Sequence, residues 1–150
     1  MPFLEEIAVR GSEPARAAFV CAWPAYSRLE GLEDLIERIR TYPEAEREGK
    51  LRSFWSQVAL LADYFVPEAA KRDDRYLMMH AVSDMVMFGC RLILAWNRIL
   101  FPYHKWLMRE VERAPDKPVA FMDRIHDALD RPGVETASAF SQCLEGFQDW

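Results

Sequence analysis

The stretch Asp73 to Trp106, DDRYLMMHAVSDMVMFGCRLILAWNRILFPYHKW, is the longest apolar run in the chain and limits most what it can fold into. It carries His80, Asp84, Arg91, Asn97 and Arg98 among residues that otherwise ask to be buried. Asp84, Arg91 and Arg98 recur at seven-residue intervals, with His80 one turn before Asp84. At about 100° per residue, spacings of four and seven return to one face of a helix. The stretch therefore predicts a helix buried on most sides with one polar stripe, capped by Asp73 or Asp74 and broken at Pro102. Such a helix would exceed 25 residues, or about 40 Å at a rise of 1.5 Å per residue.

The flanking sequence reads as more helices. Phe3 to Val9 is a short amphipathic turn or helix stopped by Gly11, and Ser12-Glu13-Pro14 starts another through Ala15, Ala18, Phe19 and Ala22. Leu32, Leu35, Ile36 and Ile39 form one apolar side of LEDLIERIRT. The next helix follows from Leu51, Phe54, Trp55, Val58, Leu61, Ala62 and Phe65. Its start is expected either at the Pro43 break, after Thr41 or Tyr42 and with Glu44 and Glu46 in the first turn, or near Lys50, because Gly49 weakens a helix. Pro67 lies within or just after its end. Past Pro102 come HKWLMREVERA, then Val119 to Leu129 and Thr136 to Phe147, separated by Arg131-Pro132-Gly133. No alternating β-branched run or Asn-Gly hairpin signal interrupts the pattern. The expectation is a single all-α domain over residues 1–150, an antiparallel bundle of about six or seven helices.

Composition narrows the function classes. A net charge of −5 with pI near 5.3 argues against general affinity for phosphate backbones, so nucleic acid is a disfavoured partner. Cys21, Cys90 and Cys143 are odd in number and lack C-x-x-C spacing, which speaks against a disulfide framework or structural zinc and for a reducing cytoplasm. MPFLEEIAVRG has acids ahead of its apolar residues and no positive leader, unlike a signal peptide. Arg91, Asn97 and Arg98 interrupt the most apolar window, so no membrane association is expected. No P-loop, G-x-G-x-x-G or G-x-S-x-G is present.

Two clusters remain as candidates for chemistry. In the stripe, Asp84 is placed to orient His80, and Arg91 and Arg98 to receive a phosphate or carboxylate bidentately. The same residues also suit an internal network that fixes helix register. A metal site lacks a third His or Cys at ligand spacing. The second cluster is the corner NRILFPYHKW, where Asn97, Arg98, His104, Lys105 and Trp106 surround a helix break. A helix start there offers backbone N–H groups to an anion, and Tyr103 and Trp106 offer rings for stacking. The corner is equally consistent with a structural turn whose aromatics are core.

RLILAWNRILFPYHKWLMREVERAPDKP resembles the C-terminal helical domain of a group of bacterial polymerase-β-type nucleotidyltransferases. The matching positions are Leu94, Asn97, Arg98, Phe101, Pro102, Lys105, Trp106, Leu107 and the Ala114-Pro115 loop. The resemblance implies a helical substrate-recognition domain facing a catalytic domain that holds nucleotide and metal. Gly11-Ser12 is present, but EPARAAFVCAWPAYS follows without the Asp-x-Asp or Asp-x-Glu pair that such a catalytic domain uses to hold Mg²⁺. The expectation is accessory recognition of a small polar or nucleotide-like ligand, with no catalytic or metal-binding residue and no cofactor of the chain's own. His80, Asp84, Arg91, Asn97, Arg98, His104, Lys105 and Trp106 are the expected binding residues. Mg²⁺ and a nucleotide enter only with a catalytic domain, in cis or in trans. As an alternative, Arg98 and His104 have the spacing of the R-x(4–6)-H signature of HEPN ribonucleases, which resemblance implies a homodimer partnered with a small nucleotidyltransferase. A plain protein-interaction bundle is the third reading.

Overall fold

A computed structural model describes residues 2–28 and 30–148. These residues form nine α-helical segments, a π-helical turn and a 3₁₀ turn, with no strand among them. The helices are α1 (Pro2–Arg10), α2 (Glu13–Ala17), α3 (Leu32–Arg40), α4 (Glu44–Leu60), α5 (Val66–Lys71), α6 (Arg75–Trp96), α7 (Leu107–Arg113), α8 (Phe121–Asp130) and α9 (Val134–Glu145). The π turn Leu61–Phe65 joins α4 to α5 as one rod. With that rod taken once and the single turn of α2 set aside, seven helices remain, and the all-α expectation holds.

Helix α6 is the axis of the bundle and packs on α4, the π turn, α5, α7, α8 and α9. Its Val82, Met85, Val86, Leu92, Ile93 and Leu94 are buried with Phe121, Ile125, Phe140 and Leu144. Among the described residues it is the one helix long and apolar enough to cross a membrane, and half of that apolar window is buried inside the protein. Gly89 permits the closest approach: an added Cβ would lie 2.4 Å from the Phe140 ring. The α4–α5 rod runs antiparallel to α6. Arg47, in the first turns of α4, donates to the carbonyls of Ala95 and Trp96 at 3.2 and 3.1 Å, the far end of α6. That cation also suits the negative end of the α6 dipole.

Three details depart from the sequence expectations, and one decides between two of them. The central helix stops at Trp96, 22 residues long, because Arg98 turns left-handed (φ 57°). The Ile99 N–H then bonds to Leu94 O at 2.9 Å and the Arg98 N–H to Ala95 O at 3.2 Å, closing a Schellman motif with arginine where glycine is usual. Helix α4 takes the earlier of its two expected starts, at Glu44 after Pro43. Glu44 and Glu46 favour its first turn, and the i, i+4 pairs Glu46–Lys50 and Glu48–Arg52 carry the helix through Gly49. Pro67 does not end the helix. The chain widens into the π turn just before it, Val66 N–H bonding to Leu61 O, so the proline ring enters at the start of α5. Helix α2 is shorter than expected, since nothing in it is buried to extend it.

The N-terminal helices form a layer of their own. α1, α2 and α3 pack mainly on one another, and Leu35, Ile36 and Ile39 are buried outside the main core cluster. Arg16 closes this layer by donating to the carbonyls of Ile39, at 2.9 Å, and Thr41.

Candidate functional site

Where the N-terminal layer meets the bundle, a cavity of about 320 Å³ opens, lined by Gly11, Ser12, Glu13, Pro14, Arg16, Glu46, Lys50, Arg91, Phe101 and Tyr103. Such junctions between packed units are common places for ligand sites. Arg91 comes from α6, and its guanidinium carbon lies 4.3 Å from the Phe54 ring centre and 4.8 Å from that of Phe101. Its Nε is buried, and the side chain has no hydrogen bond or ion pair among the described residues. Burial lowers its pKa, while the charge of Glu13 opposes that shift. Guanidinium nevertheless stays protonated in proteins. A cation held between two rings with unused donors has the chemistry to bind acceptor oxygens.

Glu13 binds the two layers together. One carboxylate oxygen meets Lys50 Nζ at 2.8 Å and the other accepts from the Phe101 N–H at 2.9 Å. Lys50 also lies 2.8 Å from Glu46; its contacts are electrostatic ones without the direction of good hydrogen bonds. Behind it, Tyr42 stacks its ring 5.3 Å from Lys50 Nζ, and its buried hydroxyl has no partner. Burial, helped by Glu13, pushes the Tyr42 pKa up to about 12. Ser12 occupies the N-cap position of α2, but its side chain makes no capping bond.

Tyr103 stands at the cavity with φ 68° and ψ 171°, a region nearly reserved for glycine that costs about 1–3 kcal/mol elsewhere. Its ring meets His104 edge-on at 4.7 Å. Strain of this kind collects at sites where a side chain must be held in one place.

The eight expected binding residues do not form one site. Arg91 alone among them lines this cavity. His80 is exposed and Asp84 half-buried, and they face each other at 3.5 Å, with Tyr76 stacked on the imidazole at 6.1 Å. His80 lies 11 residues before Arg91, about 16 Å along the helix, so the stripe is too long for one small molecule. Arg98 leaves the stripe at the left-handed turn and is held by Glu44 through two bonds of 2.8 and 2.9 Å. Asn97 is fully used: its amide donates to Ile93 O and Asp116 O and accepts from the Asp116 N–H. His104 packs edge-on against Phe101 at 5.9 Å. Lys105 and Arg109 lie over Trp106 at 5.0 and 4.2 Å, a cationic platform on the surface.

Sequence periodicity misses Glu13, Lys50 and Tyr42, because they come from three different segments with no shared spacing. The one available signal was the Gly11-Ser12-Glu13-Pro14 break, legible as a turn but not as a contact. Among the described residues, no three His, Cys, Asp or Glu side chains gather as a metal-binding group. No curated protein and no solved structure matches the chain. The family model that does match, described as Domain of unknown function (DUF4037), covers residues 25–107, from the loop before α3 to the start of α7. Lys50, Arg91, Phe101 and Tyr103 fall inside that span, and Glu13 falls outside it. Since the match covers more than half of its length, the chain belongs to this family of domains of unknown function.

Proposed function

We propose that the chain is a recognition domain whose Arg91 cavity binds a small polar ligand through its acceptor oxygens. In this reading it has no complete active site and works with a nucleotidyltransferase catalytic domain supplied in cis or in trans. The observation that carries the reading is Arg91 itself, held between Phe54 and Phe101 beside an open cavity without a hydrogen-bond partner. A buried donor left unpaired costs about 1–3 kcal/mol, and a ligand that satisfies it recovers that energy as affinity. The likeness of the Asn97-to-Trp106 corner to nucleotidyltransferase helical domains supports the choice of partner. The geometry gives less to a dimeric ribonuclease, because Arg98 would first have to leave Glu44.

A thermal-shift and calorimetric panel of nucleotides, sugar phosphates and aminoglycosides tests the reading against wild type and Arg91→Met. Methionine keeps much of the packing between the two rings and removes the donors. At least one compound should bind wild type and lose about tenfold or more in affinity, roughly 1.4 kcal/mol, in the variant. A panel with no Arg91-dependent binder would sink the proposal.

A further inference from the structure

Glu13 occupies its place as a ligand would. Its carboxylate pairs with the charge of Lys50 and accepts from the Phe101 N–H, both in the DUF4037 span, yet Glu13 itself belongs to the segment before that span. Resting on the recognition reading above, we infer that this is a phosphate subsite, which the Glu13 carboxylate fills until the phosphate group of a small-molecule ligand displaces it.

Two observations favour phosphate over another carboxylate. Both Glu13 oxygens are already committed, one to the Lys50 charge and one to the Phe101 N–H, and the buried Arg91 Nε in the same cavity has no hydrogen bond among the described residues. A tetrahedral phosphate has further oxygens to offer the guanidinium. The charges lining the cavity are Arg16, Lys50 and Arg91 against Glu13 and Glu46, a balance of +1. Without the Glu13 carboxylate the balance is +2, the complement of a phosphate dianion. Arg16 holds α2 to the Ile39 and Thr41 carbonyls, so α2 keeps its place on α3 when the Glu13 side chain rotates away. Strained Tyr103, at the same cavity, supplies a ring against which the body of a phosphorylated ligand can stack.

Titration of the full chain with inorganic phosphate at constant ionic strength tests this, with acetate as the carboxylate control. Glu13→Gln should bind phosphate about tenfold more tightly than wild type, and adding Arg91→Met should abolish the gain. Acetate should bind neither protein measurably. Equal phosphate affinity in wild type and Glu13→Gln would overturn the stand-in role and leave the Arg91 recognition reading intact. Absence of phosphate binding to Glu13→Gln would also overturn it, and the ligand panel then decides the recognition reading separately. If Glu13→Gln does not fold, the Phe101 amide resonance of ¹⁵N-labelled wild type decides. Saturating phosphate should shift it as its acceptor changes, and an unmoved resonance refutes the exchange.

Discussion

Tyr42 shows how a single side chain ties the site to solution conditions. Its hydroxyl is buried, and its pKa is raised to about 12 against an ordinary value of 10. The folded state therefore keeps the phenol proton after the unfolded chain has released it. The resulting stabilisation is complete below pH 10 and is lost as the pH rises through 12. Urea midpoints for wild type should fall across that window more steeply than those for Tyr42→Phe, the difference vanishing below pH 10. Asn97 is the second residue with a clear expectation. It makes three hydrogen bonds that join the end of α6 to Asp116. Asn97→Ala should cost about 1–3 kcal/mol in chemical denaturation. Arg98→Ala, which breaks an exposed pair with Glu44, should cost at most about 1 kcal/mol. Both residues were legible in the sequence as unusual, and both were read as ligand contacts. Their actual partners, Asp116 and Glu44, lie 19 and 54 residues away, beyond the reach of any local pattern.

At the scale of elements, the meeting of α6 with α9 is the sharpest contact. Alanine is favoured over glycine inside a helix by about 1 kcal/mol, so Gly89→Ala alone would be expected to stabilise. The Phe140 ring lies where the new methyl would go and is itself packed on Phe121 at 5.5 Å. Overpacking of that kind costs about 1–3 kcal/mol, so the variant should be less stable than wild type in a denaturant titration. The helices themselves are readable from periodicity, and α6 begins at its expected Asp74 cap. Less readable were the ends governed by tertiary contacts. Pro67 argues for a stop in any isolated sequence, whereas packing of the rod on α6 carries the helix past it by way of a π turn. Arg98 adopts a glycine-like conformation that its residue type does not announce.

For the molecule as a whole, the three cysteines report on how cooperatively the bundle opens. Cys90 is fully buried in α6 and its thiol is pushed up to about 12 by burial, while Cys21 is exposed. Alkylation of the native protein should modify Cys21 rapidly. Cys90 should react only through opening of the core, at a rate that rises with denaturant as global unfolding does. A Cys90 that labels as readily as Cys21 would mean that α6 is not the cooperative centre described above. Amino-acid order alone determined the fold class here, because the spacing of apolar residues sets which helix faces must be covered and needs no distant information. It also singled out Arg91 as a polar group in an apolar helix. The tertiary structure decided which neighbours that arginine would have. Phe54 and Phe101 flank it from distant parts of the bundle, and only the packing of the N-terminal layer on the bundle sets Glu13 with Lys50, Phe101 and Arg91 at one cavity.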